Sequence, residues 1–556
     1  MKKILFIAVL FSCFSCSDDF LDVSPQDRIS EEAVWTDPNL IIAYHNSLYN
    51  GVPHGFGRHM VSKFSDEANS VNWDLQRNTF TPDNVAVAGT ANENFFYYWN
   101  RGYAYIRKVN IFLEQMEEGT LHVPNKDRLV AEAKFLRGFM YFELIRRYGG
   151  VPIVMQSYDL GEEANFTRST FDECVSFIES DLNAAITGLP EKYASTSTDF
   201  GRATQDACKA LKSRLFLYAA SPLFNPSNDQ AKWQKAADAA EALLNRGYSL
   251  HLDYRQMFIQ PSGSANNEII FARLFSASNS HQAPITNINR RYGGYGGWGA
   301  SNGPSQNLVD DYDMNNGEPA FIYPGGVKTI NPASNYNPQN PYVNRDPRFD
   351  ATVLHDESVF RGNVHEMWVS TDGTKWGFDS FKQSGDNPRT NYALLKFAPN
   401  ADVPLNWQTL YTNPWIHIRL AEIYLNYAEA KLALGDEATC REYINKVRAR
   451  QSVNLPPISN IVTGEELKRR LYNERRIELA FEGHRFFDVR RWKIATVTES
   501  QPIYGMDITK DLATGLKTYT PVQITARTPF QEKMYLLPIE ASEILRNKNL
   551  TQTPGW

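Results

Sequence analysis

The residues best suited to acid–base chemistry are two glutamates, Glu474 and Glu478, four positions apart in a predicted helix over residues 465–482. Residues at that spacing share one helix face, so the two carboxylates could serve as a general acid and a general base. Like charges at that spacing also repel, and arginines surround them. The neighbouring cations are Arg475, Arg476, Arg485, Arg490 and Arg491. We therefore predict a buried ion network here rather than a catalytic pair.

Other sequence patterns of enzymes are missing. The chain has no HExxH motif, no evident Ser/His/Asp grouping and only ten histidines. The glycine-rich run at residues 293–297 lacks the lysine of a phosphate-binding loop, and it displays Tyr295 and the following Trp298 instead. We predict no catalytic residues, no metal site and no cofactor, while calcium in the loops is left open.

Aromatic residues are frequent, at 13% of the chain with 28 tyrosines and 11 tryptophans. Several lie in polar, glycine-rich stretches that cannot be core helices. Sugar rings pack on such side chains, while Asp, Asn and Arg hydrogen-bond the hydroxyl groups. The candidate ligand-binding residues are Trp73 with Asp66 and Asn72, Tyr295 with Trp298, Trp376, and Arg389 with Tyr392. For each of them core packing or loop anchoring is an equal alternative, and their convergence in space would decide.

The N-terminus has the features of a lipoprotein signal. Two lysines precede an apolar run over residues 4–14, which is too short to span a bilayer because a spanning helix needs ~20 apolar residues. A small residue precedes Cys16, and acidic residues begin soon after it. We predict that residues 1–15 are removed and that Cys16 is lipidated. Lipidation at Cys13, or an ordinary signal peptide with a stray cysteine, are the alternatives.

The composition indicates a soluble body on that lipid anchor. The 556 residues are 42% hydrophobic and 22% charged, enough for a large core, and the length suggests two or more subdomains. Without the signal, 55 basic residues stand against 63 acidic ones, a net charge of −8, which argues against nucleic acid as a partner. Cys174, Cys208 and Cys440 fall on helical patterns, so we predict core thiols rather than disulfides.

Several segments repeat apolar residues at helical spacing. The strongest runs cover residues 131–145, 171–189, 210–220, 233–244 and 416–434. Ser169 or Thr170 would cap the second run, and Gly435 would end the last. Helix pairs of ~34 residues, stacked side by side, are typical of tetratricopeptide-type solenoids. We predict a mainly α fold of such pairs, with a generic helical domain as the alternative.

The helical pattern stops between residues 250 and 403, where glycine, proline and turn residues become frequent. Short strands are predicted at residues 268–271 and 392–397. We interpret residues 250–403 as a loop-rich variable lobe inserted between an N-terminal helical part, residues 16–249, and a C-terminal helical part, residues 404–556.

Motifs along the whole chain closely resemble, in order, landmarks of the SusD/RagB family of outer-membrane nutrient-binding lipoproteins. The sharpest is NERRIELAFEGHRFFDVRRW at residues 473–492. The others are SCSDDFLDVSP (15–25), AEAKFLRGFMYFELIRRYGGVPIV (131–154), RDPRF (345–349), YALLKF (392–397), IRLAEIYLNYAEAKLALG (418–435) and LLPIEASEILRNKNLTQTPGW (536–556). The ending departs slightly from the usual Gln-Asn-Pro-Gly-Tyr, with Thr553 and Trp556 in its place.

The resemblance implies an α fold of tetratricopeptide-like helix pairs, no catalytic activity and a position on the cell surface. A family member is expected to lie over a SusC-like TonB-dependent outer-membrane transporter, capture oligosaccharides and pass them into the barrel. Ser17, Asp18 and Asp19 are similar to a surface-export signal. Ligand residues vary within the family, so the candidate residues above rest on this sequence alone.

Three hypotheses follow, in descending order of support. The first is a glycan-binding lipoprotein of an outer-membrane uptake complex. The second is a RagB-like protein that captures peptides, whose groove should be less aromatic and more directed at the peptide backbone. The third is a glycoside hydrolase with paired carboxylates.

Overall fold

The computed structural model describes residues 31–57, 60–69, 97–118, 122–158, 165–293 and 299–556. Within these ranges the fold is mainly α with several small sheets, which confirms the predicted fold class. The predicted signal peptide, Cys13 and Cys16 lie outside the described residues. In the part of the chain that the structure describes, no helix is long and apolar enough to cross a membrane.

The long helices α3 to α7 and α12 to α14, defined in the list that follows, form one continuous stack. In chain order the helices are α1 (Glu31–Val34), α2 (Pro38–Leu48), α3 (Trp99–Glu118), α4 (Lys126–Tyr148), α5 (Phe171–Gly188), α6 (Gln205–Ala220), α7 (Gln230–Glu241), α8 (Gln256–Ile259), α9 (Ala283–Asn287), α10 (Gln306–Asp310), α11 (Pro347–Thr352), α12 (Leu420–Ala433), α13 (Glu437–Arg448), α14 (Gly464–Glu478), α15 (Arg485–Arg491), α16 (Ala495–Thr498) and α17 (Ala541–Arg546). From α3 to α7 each helix packs on the next. α12 then packs on α7 and continues the stack through α13 and α14, although residues 242–419 intervene in sequence.

Local sequence explains why these helices begin and end where they do. Thr170 caps α5, since its hydroxyl accepts a hydrogen bond from the Glu173 amide at 3.2 Å while the Glu173 carboxylate accepts one from the Thr170 amide at 2.7 Å. Gly435 follows α12 with a φ of +85°, as its position predicts. α4 is apolar on more than one face and is buried almost throughout from Leu129 onward, because it packs between α3 and α5.

The strands are short. They are β1 (Ala68–Asn69), β2 (Ile269–Arg273), β3 (Gly303–Pro304), β4 (Phe321–Ile322), β5 (Thr329–Ile330), β6 (Val353–Leu354), β7 (Val359–Phe360), β8 (Asn363–Val364), β9 (Val369–Ser370), β10 (Ala393–Leu394), β11 (Trp415–Arg419), β12 (Ile503–Lys510) and β13 (Lys517–Thr525). Antiparallel pairs join β1 to β3, β2 to β11, β4 to β5, β6 to β10, and β7 to β8. The remaining sheet has the order β13-β12-β9.

Several predicted elements have different bounds in the structure. The helix predicted from residue 416 begins at Leu420, because residues 415–419 form β11 and pair with β2. The helix predicted over 465–482 ends at Glu478, after which Phe481 takes a left-handed φ of +62°. The strand predicted over 392–397 is confined to two residues, Ala393–Leu394.

A buried ion network around Glu474 and Glu478 is confirmed, but the predicted cations do not supply it: Arg475 pairs with Asp488, Arg476 and Arg485 with Asp66, and Arg491 with Glu429. The Glu478 carboxylate accepts hydrogen bonds from Arg450 at 2.6 Å, Arg419 at 2.7 Å and Arg348 at 3.0 Å. Among the described residues, the network contains as many carboxylates as cations: Glu268, Asp313, Asp346, Glu474, Glu478 and Glu482 against Arg348, Lys396, Arg419, Arg448, Arg450 and Arg470. All of these side chains are buried.

Electrostatics keeps Glu478 ionised. Burial alone raises the pKa of a carboxyl group, but the guanidinium groups of Arg450, Arg419 and Arg348 outweigh burial and hold the pKa of Glu478 well below its ordinary value. Glu478 is therefore a structural anion, tied to charged partners on every side.

We expect Glu478→Gln to lower the free energy of unfolding by about 3–5 kcal/mol, because buried guanidinium groups lose their shared carboxylate. Urea unfolding at pH 7 measures the loss. Glu465→Gln, on the same helix with a side chain 89% exposed, is the control and should change the free energy of unfolding by less than ~0.5 kcal/mol.

Comparing wild type with Glu478→Gln at different pH values tests whether the loss of stability is electrostatic in origin. Because the pKa of Glu478 is lowered on folding, its contribution is present above its ordinary pKa of 4.5 and is lost as the pH falls through the folded value. The stability gap between wild type and Glu478→Gln should narrow toward acid pH. A gap that does not change between pH 7 and pH 3 would contradict this explanation.

Candidate ligand-binding site

Two segments that carry predicted ligand residues attach to the body side by side. Asn72 and Trp73 fall in residues 70–96, and Tyr295 and Trp298 fall in residues 294–298; all four lie outside the described residues. Their points of attachment are nevertheless described, and the β1–β3 sheet brings them together.

In that sheet Asn69 pairs with Gly303. Asn69 is the last described residue before residues 70–96, so it is the root of that segment. Gly303 follows Gly299, where the described chain resumes after Trp298. The stretch between them is fixed in turn, since the Ala300 amide donates to the Ile288 carbonyl at 3.0 Å. The roots of the two segments are therefore neighbours.

Asp66 and Tyr392 are buried, and the structure corrects the prediction that they contact ligand. The Asp66 carboxylate accepts two hydrogen bonds of 2.8 Å from Arg485 and lies 3.1 Å from Arg476. Although burial opposes it, these two guanidinium groups hold the pKa of Asp66 well below its ordinary value. The Tyr392 hydroxyl donates to the side-chain oxygen of Gln306 at 2.6 Å. Both residues support the site from within the body.

Trp376 and Arg389, in contrast, are exposed. The Trp376 side chain is 41% exposed, and its indole N–H donates to the side-chain oxygen of Gln383 at 2.7 Å, which fixes the plane of the ring. Phe378, which the sequence analysis missed, is 47% exposed on the same segment. An exposed ring with a fixed orientation is suited to stack on a flat ligand.

Asn387 ties these exposed residues to the root of residues 294–298. Its side-chain oxygen accepts from the Arg290 amide at 3.1 Å, and its side-chain nitrogen donates to the carbonyls of Phe378 at 3.3 Å and Ser380 at 3.0 Å. One buried amide thereby holds together the chain that leads into residues 294–298, the aromatic segment and the neighbourhood of Arg389.

Asp379 makes a second tie at the same place. Its buried carboxylate accepts from the Arg291 guanidinium at 2.6 Å, from the Asn289 side chain at 3.0 Å and from the Glu366 amide at 3.0 Å. Hydrogen bonding to Asp379 raises the pKa of Arg291, so that guanidinium stays charged. Its central carbon lies 4.5 Å from the centroid of the Phe378 ring, a cation–π contact that steadies the ring.

We give the name candidate ligand face to the exposed residues Arg290, Trp376, Phe378 and Arg389, together with residues 291–293 and the buried residues Asn69 and 299–303 at the roots of the two segments. Its supporting residues Asp379 and Asn387 look like ordinary turn residues in the sequence, where Asp, Asn, Ser and Gly crowd together. The one feature of the sequence that could have identified Asp379 and Asn387 is the run of turn residues around two aromatic residues. In the described ranges, no group of three or more His, Cys, Asp or Glu side chains is arranged to hold a metal ion.

A stack of helix pairs with small scattered sheets defines a tetratricopeptide-containing class of helical proteins. Comparison of the sequence with family models places the chain more narrowly. A model described as the SusD family matches residues 267–556, and one described as starch-binding associating with outer membrane matches residues 19–217. The chain belongs to the SusD family, as the motifs predict.

Relatives and solved structures agree with this assignment. The chain is 24% identical to a SusD-like protein of Bacteroides ovatus over 509 residues, which covers 88% of this chain and 82% of that protein. It is similar to the crystal structure of a SusD-like protein of Bacteroides fragilis, with a TM-score of 0.75 at 28% identity over 96% of this chain and 100% of that chain. A SusD-like carbohydrate-binding protein of the same species gives a TM-score of 0.74 at 25% identity, with 93% and 100% covered.

We expect Asn387→Ala to loosen the candidate ligand face without unfolding the protein. Three hydrogen bonds are lost and the Arg290 amide loses its acceptor, which costs about 1–3 kcal/mol locally. Hydrogen exchange should speed up at the Arg290 amide and in its neighbours, while exchange in α4 stays unchanged. Asn340→Ala, another loop asparagine at an exposed position, is the control. Equal exchange at residue 290 in wild type and Asn387→Ala would show that Asn387 does not hold the face.

Proposed function

We propose that this protein is a cell-surface lipoprotein that captures oligosaccharides on the candidate ligand face and delivers them to a SusC-like TonB-dependent transporter. The observation that carries the proposal is the β1–β3 pairing. It brings together the described roots of the segments bearing Trp73, Tyr295 and Trp298, and Asn387 and Asp379 tie the second root to the segment with Trp376. Several aromatic side chains attached around one surface are what stacking on a saccharide requires.

The chemistry of the described part of the face supports a carbohydrate ligand. Two rings are exposed, one oriented by Gln383 and the other by Arg291, and Arg389 offers hydrogen-bond donors nearby. The carboxylates predicted as an alternative acid–base pair are buried and bonded to arginines, so the hydrolase hypothesis loses its candidates. The names of relatives point the same way, since one solved neighbour is described as a carbohydrate-binding protein and another as laminarin-binding.

Peptide capture remains the second candidate function. A peptide site would present backbone donors and acceptors more than rings. The exposed Trp376 and Phe378 favour the glycan hypothesis over it.

The glycan hypothesis predicts that ring removal weakens binding. We expect Trp376→Ala and Trp298→Ala each to weaken binding of the cognate glycan by about 1 kcal/mol or more, a fivefold rise in Kd, because each removes a stacking surface. Affinity electrophoresis against a panel of polysaccharides finds the glycan, and isothermal titration calorimetry gives the Kd. Tyr323→Ala removes a ring 46% exposed outside the face and should leave the Kd unchanged.

The outcomes separate the hypotheses. Reducing ends released from any polysaccharide would contradict the binding-only function. Unchanged affinity in both tryptophan variants would discard the site, and retention of peptides but no glycan would favour the RagB-like alternative.

The lipoprotein prediction is tested at Cys16. We expect Cys16→Ser to abolish incorporation of radiolabelled palmitate and to release the protein from the membrane fraction, since two or more acyl chains, each contributing ~0.8 kcal/mol per buried methylene, supply the anchor. Cys13→Ser is the matched control and should still be labelled. Labelling lost in Cys13→Ser and retained in Cys16→Ser would move the anchor to Cys13.

A further inference from the structure

The strand β2 has an open edge. Among the described strands it pairs only with β11, so its other edge carries no strand. An unpaired strand edge presents a row of backbone N–H and C=O groups and is a template for pairing with another chain.

A groove follows that open edge. It consists of two adjoining cavities of about 460 Å³ and 310 Å³, which share Phe200, Gly201 and Arg202 as their opposite wall. The first touches Ile269 and Ile270, and the second touches each residue from 271 to 274. None of the residues of the candidate ligand face lines either cavity.

The groove contacts the edge of β2 rather than one of its faces. Successive side chains of a strand point to opposite faces, so a cavity lying over one face would touch alternate residues. These cavities touch six consecutive residues, from 269 to 274, whose side chains from Ile269 to Ala272 are buried. A surface that meets every residue in turn is the edge itself. At ~3.3 Å per residue it is about 20 Å long, enough for four to six residues of an added strand.

The lining of the groove is basic. It includes Lys192, Arg202 and Arg273 and no aspartate or glutamate. Arg202 is matched by Glu132 at 3.0 Å and by Asp199 at 2.9 Å, but Lys192 and Arg273 form no ion pair with any carboxylate in the described ranges. The Arg273 guanidinium donates only to the Val52 carbonyl, at 2.8 Å, and Lys192 donates to the Arg246 carbonyl at 3.0 Å. In a protein with an excess of acidic residues, this groove presents positive charge.

A buried amide points to a ligand as well. Asn266 lines the first cavity and is only 6% exposed. Its side-chain oxygen accepts from the Glu268 amide at 3.1 Å, whereas its side-chain nitrogen has no hydrogen-bond partner among the described residues. This N–H₂ group can donate to a carbonyl group of a molecule bound in the groove.

We propose that this groove binds an extended acidic peptide segment of a partner protein, which adds as a strand to the open edge of β2. The edge supplies backbone donors and acceptors at the repeat of a polypeptide, which a saccharide does not match. The basic lining selects acidic side chains, and Asn266 marks a position for a peptide carbonyl. The proposal concerns a second site and does not depend on the proposed glycan function.

The probe is the labelled hexapeptide acetyl-Val-Asp-Val-Asp-Val-Asp-amide, added to the purified mature chain with Cys16→Ser. We expect saturable binding by fluorescence anisotropy, weakened at least tenfold in 1 M NaCl because the attraction is screened. Hydrogen exchange should slow at backbone amides of residues 269–274. The analogue with Lys in place of Asp should bind at least tenfold more weakly, and the analogue N-methylated at alternate residues should not bind, because it lacks the donors that a strand needs.

Matched substitutions test the place of binding. Lys192→Gln, in the groove, should weaken probe binding several-fold. Lys235→Gln makes the same change at a half-exposed lysine outside both cavities and should have no effect. Neither lysine belongs to the candidate ligand face, so glycan binding should be unchanged in both.

Several results would overturn the proposal. These are absence of probe binding, equal binding of the N-methylated analogue, and displacement of the probe by a neutral oligosaccharide such as maltohexaose, which would make the groove a sugar site. Probe binding that requires prior replacement of Asp18, Asp19 and Asp22 by Lys would show instead that the chain's own N-terminal segment occupies the groove.

Discussion

Glu478 accepts hydrogen bonds from three buried guanidinium groups, and those groups come from three separate parts of the chain. Arg348 lies in α11, Arg419 ends β11, and Arg450 follows α13. One arginine would not compensate a buried carboxylate for the hydration free energy that it loses on burial. A balanced cluster of carboxylates and cations, in contrast, leaves no uncompensated charge. Helix α14 can therefore carry charges into the interior, and α11 is fastened to the helical stack at that point.

The same region of the chain also reaches the candidate ligand face. Just beyond α14, Arg485 holds Asp66, and the Phe481 amide donates to the Glu67 carboxylate at 3.0 Å. Burial raises the pKa of Glu67 to about 7, so this carboxyl group gives up charge more readily than its neighbour Asp66, which is held by arginines. Asp66 and Glu67 directly precede β1, which holds the root of residues 70–96. The interior charges thus fix the place from which one ligand-bearing segment leaves the body.

The face itself follows a different principle. Its ties are single polar side chains, Asn387 and Asp379, that collect backbone groups from segments about 10 to 100 residues apart. Such ties need no dedicated sequence motif, since a single residue of a turn is enough. They leave the aromatic rings exposed while fixing their surroundings, which is the combination that a binding surface on a loop-rich region needs.

Local pattern was sufficient wherever local physics decides the outcome. The capping box at Thr170, the left-handed Gly435 and the two-faced apolar helix α4 were all predictable because their partners lie within a few residues. The ion network was predictable in kind, since two buried carboxylates need cations, but its members were not, because the cations bound to Glu474 and Glu478 come from positions 26 to 130 residues away. The strand at residues 415–419 was not predictable, because a short apolar run is equally compatible with a helix and a strand. Pairing with β2, about 150 residues away, decided between them.

The sequence by itself determined a mainly α family member with aromatic loops and a charged core helix. Only the tertiary structure decided which candidate residues face solvent: it buried Asp66 and Tyr392, exposed Trp376 and added Phe378. The physical reason is that exposure is a property of what the rest of the chain covers. That depends on pairings such as β1 with β3, more than 230 residues apart, on which the local sequence carries no information.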